Sequence, residues 1–168
     1  MTTALKTLIF TVIVPGTVAI LVPYRILSSP GASGTLAIVG FRYFGLLVIP
    51  VGALIYFWCA WDFTFAGKGT PAPIDPPKEL VVRGLYKYVR NPMYVGVLSL
   101  IAGQAIWFES IQLLAYAAFA FLLMHAFVML YEEQALKRKF GESYARYHDS
   151  VPRWIPGLGA LRELKGEV

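Results

Sequence analysis

Four long apolar stretches alternate with shorter polar ones along the 168-residue chain. A helix that crosses a bilayer needs about 20 consecutive, mostly apolar residues, and the four stretches are close to that length. We therefore predict an all-α, polytopic membrane protein with about four transmembrane helices. The predicted helices cover residues 5–27, 36–65, 92–108 and 111–131, and the last one continues as a polar helix towards residue 140.

The connections and the interruptions of these stretches carry most of the proline and glycine. The turn SSPGASG (28–34) follows the first stretch, and the loop GKGTPAPIDPP (67–77) follows the second. Pro15, Pro23 and Pro50 lie inside apolar stretches. Proline is tolerated in membrane helices when neighbouring groups satisfy the carbonyls that it leaves free, so these prolines do not argue against the predicted helices.

The composition supports a lipid environment. The chain is 57% hydrophobic and 15% charged, whereas a soluble domain has roughly 45–50% apolar and about 25% charged residues. A net charge of +5 raises the question of nucleic-acid binding, but the cations flank the apolar stretches, as the positive-inside rule expects. Thirteen of the fifteen Lys and Arg residues are Lys6, Lys68, Lys78, Arg83, Lys87, Arg90, Lys137, Arg138, Lys139, Arg146, Arg153, Arg162 and Lys165.

This distribution also predicts an orientation. The 66–91 loop and the tail after Tyr131 are expected on the cytoplasmic side, and four crossings return the N-terminus to that side as well. Arg25 and Arg42 are the exceptions, because they flank the opposite loop. We therefore predict a multi-pass protein of the inner membrane with both termini in the cytoplasm, and no nucleic-acid partner.

Several other classes of site are disfavoured. Cys59 is the only cysteine, so neither an internal disulfide nor a multi-cysteine zinc site can form, and we predict no metal. The 67–69 Gly-Lys-Gly lacks the spacing of a phosphate-binding loop, and no strand–GxGxxG–helix unit is present. The 1–27 segment lacks the exit of a cleavable signal peptide.

The stretch YKYVRNPMYVG (86–96) places polar and aromatic side chains where the third helix begins. Asn is a preferred N-cap and Pro suits the first helical position, so Asn91-Pro92 predicts a helix start. The free N–H groups of that start and the charge of Arg90 favour an anion. Tyr86, Tyr88 and Tyr94 add hydroxyls and aromatic faces for a small ligand; an ordinary interfacial belt is the competing interpretation.

A second cluster lies near the end of the fourth helix. The spacing of His125, Met129, Glu132 and Leu136 by four, three and four residues predicts one shared helix face. Ionisable groups on a membrane helix are functional candidates, and Glu132 has no counterion four residues on. Glu133 precedes Lys137 by four residues, which favours a solvated ion pair, and for His125 a satisfied buried imidazole is as good an interpretation as a catalytic one.

The tail FGESYARYHDSVPRWIP (140–156) repeats large side chains at helical spacing. Tyr144, Tyr147, Val151 and Trp154 recur every three to four residues, which predicts a short amphipathic helix on the membrane surface. Such a helix can equally cover a cytoplasmic site or simply anchor the terminus.

Three separated motifs together resemble the isoprenylcysteine carboxyl methyltransferase and phospholipid methyltransferase superfamily of integral-membrane enzymes. They are LVVRGLYKYVRNPMYVG (80–96), the glutamate pair (132–133) and the 140–156 tail. The resemblance covers roughly residues 65–156. It implies a single methyltransferase domain over 1–168, with the first two helices in 1–65, a cofactor-binding core in 66–156 and a tail in 157–168.

The resemblance implies S-adenosylmethionine as the cofactor. Its site is expected where the loop between the second and third helices, the start of the third, the end of the fourth and the tail meet. Glu132 falls on the substrate-side or catalytic glutamate, and we add His125 as a catalytic candidate. The predicted cofactor set, which includes Arg90 from its charge and Glu133 from the glutamate pair, is Lys78, Glu79, Leu80, Val81, Tyr86, Arg90, Asn91, Pro92, Met93, Tyr94 and Glu133.

This chain departs from the pattern at two positions. Asn91 replaces the family histidine, and an amide cannot titrate. Val128 stands where the isoprenylcysteine enzymes place an arginine one turn before the glutamate, which argues against a prenylcysteine carboxylate as substrate. The acceptor is expected to be a lipid or a small hydrophobic molecule that reacts through an amine, a thiol or a carboxylate.

Two hypotheses from other classes remain open on the sequence. A non-catalytic lipid-binding or scaffold protein could retain the methyltransferase shell, and cofactor binding without turnover would favour it. A small transporter or channel subunit could use the one unpaired glutamate, although it needs neither the Pro-rich loop nor the tyrosine-rich tail.

Overall fold

The computed structural model describes residues 3–29, 40–65 and 79–157. Five helices are described there: α1 (Thr3–Leu27), α2 (Arg42–Phe65), α3 (Pro92–Trp107), α4 (Ile111–Phe140) and α5 (Glu142–Ser150). A 3₁₀ turn, Gly84–Lys87, precedes α3. The 67–77 loop and the 157–168 tail lie outside the described residues, apart from Gly157.

The predicted all-helical membrane architecture is confirmed. Within the described residues, α1, α2 and α4 are each long and apolar enough to cross a membrane. The fourth apolar helix, α3, has 16 residues and is therefore about 24 Å long at 1.5 Å per residue, somewhat less than the hydrocarbon thickness of about 30 Å. The large apolar side chains of α1, α2 and α4 are exposed on the outside of the bundle, as expected for surfaces in contact with lipid.

The tightest helix contact joins α2 to α3 through glycine. A Cβ placed on Gly52 would lie 2.8 Å from the carbonyl oxygen of Gly96, and one on Gly96 would lie 2.9 Å from the carbonyl oxygen of Gly52. Gly45 and Gly103 repeat this contact two turns away. Small residues let membrane helices approach until their backbones touch, so the glycines hold the start of α3 in a fixed position against α2.

Helix α1 is adapted to Pro23. The segment Thr17–Leu21 is π-helical, and Pro23 has no N–H to offer the preceding turn. The carbonyl of Val18 accepts instead from the Tyr116 hydroxyl at 2.9 Å, and the carbonyl of Ala19 accepts from the Gln104 amide at 2.8 Å. Side chains of α3 and α4 therefore satisfy the carbonyls that proline frees, which is the condition for proline inside a membrane helix.

Helix α4 is interrupted by a second π-helical segment, Val128–Glu132. The extra residue per turn rotates the later part of the helix, so the predicted shared face of His125, Met129, Glu132 and Leu136 is wrong. Met129 is 43% exposed on the outside, whereas Leu136 packs against the buried residues of α5. Single π turns inside α-helices occur frequently at functional sites.

Helix α5 packs on the protein. Its buried side chains Tyr144 and Tyr147 form a cluster with Val151, and the partners of this cluster are Leu80, Leu136 and Phe140. The predicted helix is confirmed for Tyr144 and Tyr147, but it ends at Ser150, so Val151 and Trp154 lie beyond it. The membrane-surface interpretation is wrong, because the apolar face is turned towards the segment before α3 and the end of α4. Of the three alternatives, a cover over the site agrees with this arrangement.

Candidate functional site

The two glutamates at the end of the π turn face different surroundings. Glu132 Oε2 accepts a hydrogen bond of 2.8 Å from the Tyr94 hydroxyl, which comes from the first turn of α3. Glu132 was predicted to lack a helical counterion, and its described partner is this neutral hydroxyl.

Glu133 is instead the centre of a group that we call the cation cluster: Glu133, Arg90, Arg153 and His148. Arg153 donates two hydrogen bonds to the carboxylate of Glu133, from Nε to Oε1 at 2.7 Å and from Nη2 to Oε2 at 3.0 Å. Arg90 Nη1 lies 3.1 Å from Oε1, and His148 Nε2 lies 3.8 Å from Oε2. The Glu133 side chain is only 14% exposed, so the predicted solvated pair with Lys137 is wrong.

The side chain of Arg90 is largely buried. Its side chain is 8% exposed, and within the described part of the chain Nε and Nη1 have no hydrogen-bond acceptor, although Nη1 is at ion-pair distance from Glu133. Arg90 and Arg153 together carry two positive charges against the one carboxylate of Glu133. The cation cluster therefore has an excess positive charge, and Arg90 Nε is a buried donor that no described group uses, so it could serve an anion.

The C-terminal segment is tied directly to the start of α3. The Arg90 N–H donates to the Pro152 carbonyl at 2.9 Å, and the Asn91 amide donates to the Arg153 carbonyl at 3.2 Å. Asn91 occupies the predicted N-cap position, but its side chain makes no capping hydrogen bond. Its amide group instead fixes the backbone of the residue that binds Glu133.

Buried phenols extend this tie. The Tyr147 hydroxyl donates to the Tyr86 carbonyl at 2.7 Å, which joins α5 to the 3₁₀ turn. Burial raises the pKa of the Tyr147 phenol and that of the Tyr86 phenol. The hydrogen bond to Glu133 is the main cause of a raised pKa for the Arg153 guanidinium. Both phenols are therefore neutral and Arg153 is charged at physiological pH.

His125 has a partner in the tail. Trp154 Nε1 lies 3.0 Å from His125 Nδ1. An indole N–H can only donate, so Nδ1 accepts and the proton of the neutral imidazole is on Nε2. Trp154 also lies between the rings of Phe121 and Tyr94, with centroid distances of 5.2 and 6.4 Å. The contact makes His125 a support for Trp154 and leaves Nδ1 without a free lone pair.

An open cavity of about 250 Å³ adjoins Tyr94. We call it the lipid-facing groove, because it lies between α1 and α4 and its other lining residues are apolar or aromatic. They are Val18, Tyr116, Phe119, Ala120, Leu123, Met124 and Phe127. Tyr94 is thus shared: its ring lines the groove, while its hydroxyl binds Glu132.

The structure brings most of the predicted site residues to one end of the bundle. Glu132, Glu133, Arg90, Asn91 and Tyr94 make the contacts described above. The remaining described members of the predicted cofactor set are largely packed against the protein: Leu80 against the α5 cluster, Val81 and Tyr86 against Cys59, and Pro92 and Met93 in the core. Glu79 is exposed at the first position after the gap, and Lys78 lies outside the described residues.

Sequence reasoning missed Arg153, and it placed Trp154 in the amphipathic tail helix without a partner. Both belong to the quoted tail motif, but their partners Glu133 and His125 are 20 and 29 positions away, and no helical spacing links them. It also missed Asp62, a buried carboxylate in α2. Among the described residues, no group of three or more His, Cys, Asp or Glu side chains is placed to hold a metal ion.

Comparison with known proteins gives a family. A family model described as "Phospholipid methyltransferase" matches residues 41–143, which include α2, α3 and α4 but not α1 or Arg153. The Nickel-cobalt-cadmium resistance protein NccN of Alcaligenes xylosoxydans xylosoxydans is 33% identical over 118 residues, which are 70% of this chain and 51% of that protein.

The Cobalt-zinc-cadmium resistance protein CzcN of Cupriavidus metallidurans is 30% identical over 118 residues, 70% of this chain and 50% of that protein. The chain therefore spans about half the length of the curated relatives it matches. No solved structure matches it.

Proposed function

This chain belongs to the phospholipid methyltransferase family, and we propose that it is an integral-membrane methyltransferase that uses S-adenosylmethionine to methylate a lipid or a small hydrophobic acceptor. The observation that carries the proposal is the position of Tyr94. One face of this residue lines an apolar groove open to lipid, and its hydroxyl holds a glutamate beside the cation cluster. An apolar acceptor in the groove and a charged cofactor at the polar end would therefore meet at Tyr94 and Glu132.

The residues present fit the cofactor. S-adenosylmethionine carries a carboxylate, and Arg90 Nε is a buried donor without a described acceptor in a cluster of excess positive charge. Tyr94 and Trp154 offer aromatic faces for a cation, which attract sulfonium groups as they attract ammonium groups. Arg90, Tyr94 and Trp154 would thus hold the cofactor, and Asn91 and Arg153 would position them.

When bound, S-adenosylmethionine supplies an electrophilic methyl group. The contribution of the chain is to orient the acceptor, exclude water and handle a proton at Glu132 Oε2. The groove holds the acceptor against the polar end, which converts an encounter into an intramolecular step. Tyr94 orients the Glu132 carboxylate, and α5 with the tail covers the polar end, where the cofactor would lie.

The charges at Glu132 favour one kind of acceptor. Arg90 and Arg153 are both directed to Glu133, Val128 is fully buried in the π turn, and the partner described for Glu132 is a tyrosine hydroxyl. A carboxylate acceptor would be repelled by Glu132 with no cation to bind it, whereas an amine would be attracted and could release its proton to Oε2. We therefore infer an acceptor without negative charge at its reacting atom.

The end of the bundle that carries the site also carries most of the cations. By the positive-inside rule, we place the cation cluster on the cytoplasmic side, where S-adenosylmethionine is available to it.

The first test is binding of S-adenosylhomocysteine to the detergent-purified protein by calorimetry, followed by transfer of labelled methyl groups from S-adenosylmethionine to a membrane lipid extract. We expect saturable binding and a labelled apolar product. Binding without transfer to any lipid or hydrophobic amine would favour the non-catalytic lipid-binding alternative. Absence of binding by folded protein would reject the proposal.

Two adjacent leucines provide a matched control for the groove. Leu123 lines it, whereas its neighbour Leu122 is equally lipid-exposed but is not part of it. Leu123→Trp should reduce methyl transfer at least tenfold without changing S-adenosylhomocysteine affinity, because only the acceptor space is filled. Leu122→Trp should leave both properties at the wild-type level. Equal effects of the two substitutions would contradict the assignment of the groove to the acceptor.

A further inference from the structure

Asp62, near the end of α2, is a buried carboxylate that the proposed mechanism does not use. The residue is 2% exposed. A buried carboxylate is stable only when it is paired and its oxygens accept hydrogen bonds. Oδ1 meets this condition, because it accepts from Arg83 Nε at 2.9 Å. Oδ2 does not: among the described residues it has no hydrogen-bond donor.

Gly84 explains why no protein side chain covers Oδ2. Its φ of +54° lies in the region that favours glycine. A Cβ at this position would collide with Asp62 Oδ2 and lie 2.9 Å from Trp58 Nε1. Arg83 and Gly84 thus contact the two oxygens of Asp62 differently. Arg83 forms an ion pair with Oδ1, and Gly84 has no Cβ that would collide with Oδ2.

The orphan oxygen lies next to the segment assigned to the cofactor. Gly84 opens the 3₁₀ turn that carries Tyr86, and Cys59, one turn before Asp62 on α2, packs directly against Tyr86 and Val81. Arg90, six residues after Gly84, carries the buried donor Nε, for which the described residues offer no acceptor. The segment from Gly84 to Arg90 therefore has an unused acceptor of α2 beside its start and an unused donor at its end.

We propose that Asp62 is a further ligand-binding residue of the cofactor site, whose Oδ2 accepts a hydrogen bond from a hydroxyl or ammonium group of the bound cofactor. The inference rests on the proposed function. S-adenosylmethionine carries both kinds of donor, the ribose hydroxyls and the α-ammonium group, as well as the carboxylate that Arg90 requires. Arg83 holds Asp62 in place and is a positioning residue.

The test is calorimetric binding of S-adenosylhomocysteine and, separately, of adenosine to the wild type and to Asp62→Asn. The substitution keeps the size of the side chain and a carbonyl for Arg83, but it can place an NH₂ group where Oδ2 accepts. We expect S-adenosylhomocysteine to bind about ten- to a hundredfold more weakly, as for a lost charge-assisted hydrogen bond. If adenosine weakens in parallel, the donor is a ribose hydroxyl; if adenosine is unaffected, it is the ammonium group.

Arg83→Gln separates direct binding from positioning. Gln at the half-exposed position 83 can still donate a neutral hydrogen bond to Oδ1, so Asp62 keeps a partner and we expect a smaller loss of affinity than for Asp62→Asn. Equal losses in the two variants would mean that Asp62 acts only through Arg83 and would overturn the proposal. Glu142→Gln, at an exposed carboxylate of α5, is the control and should bind like the wild type.

The remaining outcomes are also decisive. Unchanged affinity in Asp62→Asn, with thermal unfolding at the wild-type temperature, would overturn the inference while leaving the proposed function intact. Should Asp62→Asn not fold, Asp62→Glu keeps the charge and moves the carboxylate by one methylene; we expect weakened binding there, and wild-type affinity would overturn the inference. A folded wild type that binds no S-adenosylhomocysteine would instead overturn the proposed function, and this inference with it.

Discussion

The two sides of the π turn in α4 place identical side chains in opposite surroundings. On the groove side, Glu132 contacts a tyrosine hydroxyl at the edge of an apolar cavity. On the other side, Glu133 binds two arginines and lies near His148 in the cation cluster. A carboxylate that is fully compensated by cations holds structure together, whereas one without a cation remains available for a substrate.

The backbone explains how neighbouring residues diverge in this way. Adjacent side chains of an α-helix already point about 100° apart, and the π-helical segment Val128–Glu132 ends between the two glutamates. Pro152, Arg153 and Asn91 then fix the cation cluster through backbone contacts. Glu133 therefore ties the tail to the start of α3, while Glu132 is the glutamate to which the proposed function assigns the proton transfer.

The largest expected effect is that of Glu132→Gln. The substitution keeps the shape and an acceptor for Tyr94 but removes the proton-accepting group, so methyl transfer should fall about a hundredfold to ten-thousandfold. S-adenosylhomocysteine affinity and thermal unfolding should stay at wild-type values, because no described cation depends on Glu132. Normal turnover in this variant would remove the assigned role in proton transfer.

Glu133→Gln should produce the opposite pattern. It leaves Arg90 and Arg153 without their shared carboxylate, and we expect a loss of about 2 kcal/mol in the free energy of unfolding, less than for a fully buried pair because Arg153 is partly exposed. The tail should loosen, and S-adenosylhomocysteine affinity should change with it. Denaturant unfolding in detergent measures the effect, and Glu142→Gln, at an exposed position of α5, is the control. A variant as stable as the wild type would contradict the role of Glu133 in tying the tail to α3.

The sequence was sufficient for the helices, and most of the residues that it proposed for a site lie together at one end of the bundle. Apolar length predicted α1 to α4, and the Asn91-Pro92 signal marked the first residue of α3, because both depend on local chemistry. The shared helix face predicted for His125, Met129, Glu132 and Leu136 was wrong, because no local sequence signal predicts the π turn. The partners of Glu133 were mispredicted for a different reason: Lys137 is near in sequence, but the carboxylate is buried against Arg153 and Arg90, which only the tertiary structure brings to it.

Tyr94→Phe tests the groove side with a smaller effect. The ring continues to line the groove, but Glu132 loses its hydrogen bond of 2.8 Å, so we expect methyl transfer to fall about tenfold, the cost of one such bond. The aromatic face is retained, so S-adenosylhomocysteine affinity should change little. Tyr88→Phe, in the same segment but with no hydroxyl contact described, is the matched control. A loss larger than that of Glu132→Gln would mean that the tyrosine hydroxyl itself takes part in the reaction.

The smallest effect concerns the phenol that ties α5 to the site. Burial raises the pKa of Tyr147 above its ordinary value of 10.0, so the folded protein keeps this proton when the unfolded chain has lost it. The stability from the neutral phenol is therefore fully present below pH 10 and is lost as the pH rises towards the folded-state pKa. Tyr147→Phe should lower the free energy of unfolding by about 1 kcal/mol at pH 7, since the Tyr86 carbonyl loses its donor. Between pH 9 and about pH 11, however, the stability of the variant should fall less steeply with pH than that of the wild type. Thermal unfolding from pH 7 to about pH 11 measures the loss at pH 7 and the change of stability with pH. If the stabilities of the wild type and the variant fall in parallel, Tyr147 does not titrate with unfolding.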